Sequence, residues 1–380
     1  MRIGISTSVI QRGKTGVAQY VLALLRACRP FTSQHQWTVF VLEEDLPLFK
    51  FAQDCMEIVT VAEKYRSPVQ NIIWHQTHLP KLARQRRLDI LHVPSYRRLL
   101  WPRPCVLVAT IHDLAPFHLS GKYDWKRMFY GRVVARRLAR RQDRIIAISQ
   151  NTASDIMRFF QISPAKISVI HNGIEHERFF PGSSQEARTT VFEKFELARP
   201  FVLYVARLEH PAKNHLRLIS AFEQFKTESH SDWCLVFAGS DWHGAEAIHA
   251  AVKRSRFASD IRPLGFVSDA VLPDLYRAAE TFIYPSLYEG FGLPPVEAMA
   301  CNCPVICSTR GSLGEVVGSA AEIVDPEDEQ AMARKLLWLA GNEQERNRLR
   351  TAGLAQAQTF DWKRTAEATL HVYQRALSQD

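Results

Sequence analysis

Short apolar runs recur along the whole chain, each closed by glycine, proline or a charged residue, and stretches of helical periodicity fill the gaps between them. Arg2–Ser6, Trp37–Leu42, Asp89–Val93, Cys105–Ile111, Arg144–Ser149 and Ile167–Ile170 read as strands in the first half. Phe201–Ala206, Trp233–Ala238, the run from Ile261, Thr281–Tyr284 and Val305–Cys307 do so in the second. Val17, Tyr20, Val21, Leu24, Leu25 and Cys28 fall on one helical face, and further helices are predicted from about His215, over 328–340 and over 346–359. Ala366, Leu370, Tyr373 and Leu377 form one stripe of a terminal helix. Strands alternating with helices predict an α/β chain with parallel sheets and crossover helices.

The 380 residues, 46% apolar, suffice for two cores. Asn172-Gly173, Pro181-Gly182 and the polar run Ser183–Thr190 mark a linker. The expected domains are 1–180 and 181–360, followed by the terminal helix over 361–380. No segment approaches the roughly 18 apolar residues of a spanning helix, and the N-terminus lacks an apolar leader, so a cytoplasmic protein is expected. Seven cysteines, an odd number, suit a reducing compartment, and Cys301, Cys303 and Cys307 read as packing residues because their spacing is not that of a zinc site. The net charge of +9 is uneven: residues 1–180 hold 27 Lys and Arg against 13 Asp and Glu, the rest 21 against 26. The two halves therefore favour different partners. There is no internal repeat or low-complexity segment.

The densest chemistry runs from Tyr284 to Ala300. A strand ends at Pro285, a loop with Gly290 and Gly292 follows, and Pro294 and Pro295 suit the first positions of a helix, where a missing N–H costs nothing. Glu289 then lies on the loop and Glu297 in the first turn of the helix, at the sheet end where open α/β folds bind ligands. The glycines let backbone N–H groups approach a ligand, and the helix start favours an anion. Two carboxylates eight residues apart can face one ligand bearing hydroxyls and phosphates. Taken singly, Glu297 would complement a helix dipole and Glu289 would be solvated; the whole stretch favours the ligand reading.

Arg207 follows the strand Phe201–Ala206, and Lys213 precedes the helix from His215. Two cations bracketing a turn suit a diphosphate, one as a planar fork and one as a point charge, although the segment alone is also an ordinary polar loop. Gly16 opens the first helix and can offer N–H groups to a pyrophosphate, in a loop that is neither a Walker loop nor G-x-G-x-x-G. His112-Asp113 sits at a strand end, where a histidine can hydrogen-bond a sugar hydroxyl and the aspartate can fix its tautomer or cap the next turn. A helix over 125–144 places Arg132, Arg136, Arg140 and Arg144 in one row beside Trp125, Phe129 and Val133. It suits a solvated face and, equally, peripheral contact with an anionic membrane.

In this order these segments resemble the retaining glycosyltransferases of family 4, and the resemblance spans nearly the whole chain. It rests on the E-x7-E stretch from Glu289 to Glu297, Arg207 with Lys213, His112-Asp113, the Asn172-Gly173 segment and Gly265-Phe266-Val267. It implies the GT-B fold, two Rossmann-like domains facing each other across a cleft, the first for the acceptor and the second for the nucleotide-sugar donor, with the last helix crossing back. Arg207 and Lys213 are then expected to hold the diphosphate and stabilise its leaving charge. Glu289 and the backbone around Phe291, Gly292 and Leu293 contact the sugar, and Glu297 holds the ribose hydroxyls. Gly265, Phe266 and Val267 line the base pocket, the loop at Gly16 contacts the substrates, and His112 lies near the anomeric centre or the hydroxymethyl group. The chain departs from the family in having Gly13 and Gly16 in place of adjacent glycines, and His210-Pro211-Ala212 before Lys213.

The activity so implied is retaining transfer of a hexose from a nucleotide diphosphate sugar to a lipid-linked or surface-polysaccharide acceptor. Ile111–Pro116 and Pro285–Met299 look like bacterial O-antigen mannosyl- and rhamnosyltransferases, which favours GDP-mannose over UDP-hexoses. With no Asp-x-Asp triplet, no metal or other cofactor is expected. Membrane contact would place the protein on the cytoplasmic face of the inner membrane. A GT-B epimerase or phosphorylase is the alternative, less favoured because such enzymes do not usually carry the Glu289–Glu297 stretch. A nucleic-acid-binding protein is disfavoured by the absence of zinc, RRM and helix-turn-helix signatures.

Overall fold

The computed structural model describes residues 1–13, 15–118 and 128–378. It divides into two compact units, Met1–Gly173 with Asp361–Asp380, and Ile174–Phe360. Residues 174–180, assigned above to the first domain, thus pack with the second. The strands of the first unit are β1 (Arg2–Ser6), β2 (Gln36–Leu42), β3 (Glu57–Val61), β4 (Ile90–Val93), β5 (Val106–Ile111), β6 (Arg144–Ala147) and β7 (Ile167–Val169). They form one parallel sheet in the order β3-β2-β1-β4-β5-β6-β7. In the second unit β8 (Phe201–Val205), β9 (Cys234–Ala238), β10 (Ile261–Gly265), β11 (Thr281–Tyr284), β12 (Val305–Ser308) and β13 (Glu322–Val324) form a second parallel sheet, ordered β10-β9-β8-β11-β12-β13. Central strands such as β5 and β9 are buried along their whole length, as helices on both faces require. The edge strands β3 and β13 were not predicted.

Helices pack on each sheet where apolar stripes meet it. The first, Gly16–Cys28, starts at Thr15, whose hydroxyl accepts from the Ala18 N–H at 3.2 Å. Ser183 caps Ser184–Phe195 in the same way, accepting from Glu186 N–H at 3.2 Å. The polar run Ser183–Thr190 is therefore the start of a helix and not a linker; the Ser-x-x-Glu spacing of a capping box carried that information.

The basic helix also differs from expectation. Trp125 lies outside the described residues. Tyr130–Ala135 is a π-helical turn that leads into the short α-helix Arg136–Arg140, and Arg144 begins β6. The wider turn shifts the row of i, i+4 neighbours. Arg140 Nε donates to the Phe160 carbonyl at 2.8 Å, its Nη2 to Gln161 Oε1 at 2.6 Å, and Arg136 also donates to Gln161. The four arginines do not form one free face. Arg132 stays exposed, as do Phe129 and Val133.

The terminal helix, Trp362–Leu377, packs on Gly16–Cys28 within the first unit. Gly173 admits it closely, since a Cβ there would fall 2.1 Å from the Trp362 backbone nitrogen. Tyr373 reaches into the sheet, its hydroxyl 2.7 Å from His92 Nδ1. His92 Nε2 is 2.8 Å from Thr110 Oγ1, which lies 3.1 Å from the Tyr20 hydroxyl. All four side chains are buried. Burial lowers the His92 pKa to about 3, so the ring is neutral and offers one donor and one acceptor nitrogen. Removing the Tyr373 hydroxyl orphans one of them. Tyr373→Phe should therefore destabilise the first unit by about 1–3 kcal/mol; a denaturation midpoint equal to that of the wild type would show that the chain of hydrogen bonds contributes nothing.

Candidate functional site

In the second unit the strand order reverses between β8 and β11: the chain runs outward through β9 and β10, then returns to build β11, β12 and β13 on the other side. Such a reversal parts the two loops that follow the central strands and leaves a crevice at their carboxyl ends. Arg207 and Lys213 follow β8, and the stretch from Pro285 follows β11. The two loops are tied together. Leu287 N–H donates to the Ala212 carbonyl at 3.1 Å, and Asn214, held in the left-handed region with φ 61°, donates from its amide to the carbonyls of Pro285 at 3.1 Å and Pro326 at 2.6 Å.

Across that join Lys213 Nζ pairs with Glu289 Oε1. The same oxygen accepts from Ser286 Oγ at 2.6 Å and from the Tyr284 hydroxyl at 3.0 Å. Burial alone would push the Glu289 pKa up; the Lys213 charge and these hydrogen bonds outweigh it and hold the carboxyl below its usual range. Arg207 is more open, with its guanidinium 4.6 Å from the centre of the Trp242 ring and Nη2 3.4 Å from Glu209 Oε2.

The Glu289 loop is strapped from below. Ser312 N–H and Oγ donate to the Glu289 carbonyl at 3.0 and 3.1 Å, and Oγ also reaches the Phe291 carbonyl at 2.9 Å. Gly311 passes so near that a Cβ would lie 2.3 Å from the Glu289 carbonyl oxygen. Gly292, with φ 95°, turns the chain into the helix Leu293–Ala300, and a Cβ there would strike Leu313 at 2.4 Å. Because the helix begins at Leu293, Glu297 lies in its second turn and not, as expected, its first, so the dipole of the N-terminus explains less of its presence.

Glu297 is held apart from this ion pair, with Oε2 accepting from the Tyr276 hydroxyl at 3.0 Å. Burial raises its pKa to about 7; the Arg178 charge opposes this, while Asp269 and Glu175 reinforce it. Arg178 donates to Glu175 Oε2 at 3.1 Å and lies 3.7 Å from Asp269 Oδ2. Gly265 ends β10 with φ 68°, Val267 is buried, and the Phe266 side chain is 76% exposed, free to stack on a planar ligand.

In the first unit His112 follows β5. Its ring N–H donates to the Pro94 carbonyl, while Nε2 is buried with no hydrogen-bond partner among the described residues, and burial lowers the pKa to about 4. Nε2 is thus an acceptor at neutral pH. The Tyr20 ring packs edge-on at 4.7 Å. Asp113 caps the following turn, accepting from Ala115 N–H at 2.9 Å, and so takes the second of its two expected roles. Gly16 opens its helix with space around it, and Gly13 is the glycine that needs a positive φ, at 80°. A cavity of about 340 Å³ lined by Arg2, His35, Trp37 and Glu57 lies at the amino ends of β1, β2 and β3 and contains none of the expected site residues.

Tyr276, Arg178, Ser286 and Ser312 were not singled out from the sequence. Ser286 stands inside the Tyr284–Ala300 stretch and was within reach; the other three come from distant segments. Among the described residues no cluster of three His, Cys, Asp or Glu side chains is arranged to hold a metal ion, and no helix is long and apolar enough to cross a membrane.

Comparison with known proteins identifies the family. Residues 14–178 match the model of Glycosyltransferase Family 4, and residues 188–356 that of Glycosyl transferases group 1. The chain is 30% identical to the O-antigen chain mannosyltransferase B of Escherichia coli, over 98% of this chain and 99% of the relative. Its fold is similar to the sucrose-phosphate synthase of Thermosynechococcus elongatus, with TM-score 0.80 and 18% identity over 100% of both chains. It is also similar to Anabaena HepE in complex with UDP and glucose, with TM-score 0.78 and 20% identity over 99% of this chain and 100% of that one. The chain belongs to the family 4, group 1 glycosyltransferases and has the paired Rossmann-like units of the GT-B fold.

Proposed function

We propose that this glycosyltransferase moves mannose, with retention, from GDP-mannose to a lipid-linked or surface-polysaccharide glycan without the help of a metal ion. The observation that carries the reading is the half-buried Lys213–Glu289 pair at the strand reversal, with the open Arg207 beside it in the same loop. The choice of sugar is supported by the E. coli relative, named an O-antigen chain mannosyltransferase. In the reaction the bond from the anomeric carbon to the diphosphate oxygen breaks, and the electron pair leaves with the diphosphate. Arg207 and Lys213 stabilise that charge. The acceptor hydroxyl attacks from the same face, and its proton passes to the departing phosphate oxygen. Glu289, kept ionised by Lys213, accepts hydrogen bonds from sugar hydroxyls. Glu297 binds the ribose, and Phe266 stacks on the base; on the first unit, Nε2 of His112 is an acceptor for a substrate hydroxyl.

Incubation with GDP-mannose and a mannosyl acceptor should yield an α-linked product, in the presence of EDTA as well. A β-linked product would overturn retention, activity restored only by Mg2+ would overturn metal independence, and turnover of a UDP-hexose alone would overturn the donor. Arg207→Ala and Lys213→Ala should each lower kcat/KM by roughly 100–1,000-fold while staying folded, the range seen when one charge-stabilising group is removed.

Glu297 gives the site a pH dependence. Its folded pKa of about 7 exceeds the ordinary 4.5, so the folded chain holds this proton more tightly than the unfolded chain. Stability is therefore lost as pH rises from 4.5 through 7. Glu297→Gln should raise the thermal midpoint relative to the wild type more at pH 8 than at pH 5, and weaken donor binding at both. A difference that does not change with pH would count against a raised pKa.

Peripheral membrane contact now rests on Arg132, Phe129 and Val133, exposed together on the first unit. Arg132→Gln with Phe129→Ser should abolish co-sedimentation with anionic vesicles; equal sedimentation of variant and wild type would remove the membrane from the proposal.

A further inference from the structure

The first unit has a strand reversal of its own, between β1 and β4, and the loops parted there carry polar groups that the proposed reaction does not use. Ser6 and Ser8 come from the end of β1, and Arg98 from the turn Tyr96–Arg98 that follows β4. Asn71, on the helix Pro68–Gln85, lies beneath both and is 1% exposed.

The hydrogen bonds orient this group. His75 Nδ1–H donates to the Asn71 carbonyl at 2.7 Å, which leaves Nε2 to accept from Ser6 Oγ at 3.0 Å. Burial lowers the His75 pKa to about 3, so the ring is neutral. The Asn71 amide donates to the Tyr65 carbonyl at 2.8 Å, so its oxygen faces the other way and accepts from Ser8 Oγ at 3.5 Å and from Arg98 Nε. Arg98 Nη1 donates to the Arg97 carbonyl at 3.0 Å, and Nη2 makes no hydrogen bond to any described residue.

What the group lacks is a negative charge. Among the described residues no carboxylate pairs with Arg98, although most of this guanidinium is withdrawn from water. Its desolvation lowers its pKa; the nearby Tyr130 opposes this, and the neighbouring Arg97 charge adds to the lowering. Arginine does not escape by losing its proton. A half-buried cation held by a neutral amide and a carbonyl, at the ligand-binding edge of a sheet, is left with its remaining N–H groups for an anion. The excess of basic residues over 1–180 favours the same sign of ligand.

We propose that Arg98, held in place by Asn71, forms with Ser8 an oxyanion-binding site on the first unit that takes a phosphate or carboxylate carried by the acceptor. The acceptor role rests on the glycosyl-transfer reading above; the binding of an oxyanion does not. Planar guanidinium geometry suits both groups, so a lipid-linked phosphate and a uronic acid are the two sources to separate.

The full chain, its donor site filled with saturating GDP, is titrated with sodium phosphate and separately with sodium glucuronate at constant ionic strength, reading the thermal midpoint. The wild type should bind phosphate, and Arg98→Gln should weaken that binding tenfold or more, while Arg207→Ala leaves it intact. Asn71→Asp supplies Arg98 with an internal counter-ion and should also abolish the shift, which keeps the test open if Arg98→Gln does not fold. A response to glucuronate alone keeps the site and assigns it to a carboxylated sugar. No response to either anion, or one that survives both Arg98→Gln and Asn71→Asp, overturns the site. In transfer assays Arg98→Gln should raise KM tenfold or more for a phosphorylated acceptor and leave KM for a neutral one unchanged. Equal effects on both acceptors would mean that Arg98 only supports the fold. Because the titration needs no turnover, a wrong donor or sugar would show in the transfer assay alone.

Discussion

Parallel strands impose the arrangement on which everything else here depends. A parallel neighbour is reached only by a crossover, and crossovers of one hand lay successive strands outward from the starting strand. Each unit begins its sheet in the middle, at β1 and at β8, fills one side, and then returns to fill the other. Every strand end that carries chemistry therefore emerges at the same edge, and the loops diverge where the direction reverses. Lys213 and Glu289, 76 residues apart in sequence, become partners because the reversal puts β8 and β11 side by side.

The two carboxylates of the E-x7-E stretch show how far local surroundings separate identical groups. Both leave water. Glu289 finds an ammonium and two hydroxyls and stays ionised; Glu297 finds one hydroxyl, a distant guanidinium and two other carboxylates, and binds its proton more tightly. One therefore supplies a fixed negative charge, and the other a charge that depends on its surroundings.

Much of this was legible in the sequence. The central strands are long apolar runs, and Pro294-Pro295 after Gly292 announced a helix start that the structure places at Leu293. The misses have identifiable causes. β13 has three residues and β3 lies at a sheet edge with only Val61 of its five positions buried, so neither shows a sustained apolar run. The helix Pro68–Gln85 carries Pro80 and several charged and polar positions that blur its periodicity. The π-helical turn at Tyr130–Ala135 breaks the spacing from which a single arginine row was inferred. At the site, the loops bearing Glu289 and Lys213 were legible because glycine, proline and strand ends are local signals. The bonds from Tyr276 to Glu297 and from Ser312 to the Glu289 carbonyl were not, since only the finished fold brings those segments together.

The last helix has a consequence for how the chain is made. The first unit is split in sequence: its sheet is encoded by residues 1–173, but the helix that covers Gly16–Cys28 and bonds His92 comes after residue 360. On a ribosome adding about 5–20 residues per second, the second unit is translated in full during the roughly 10–40 s that separate these two parts. The first half to emerge is thus the last to be completed, and during that interval the apolar face awaiting Trp362 and Tyr373 stands uncovered, available to chaperones or to other nascent chains.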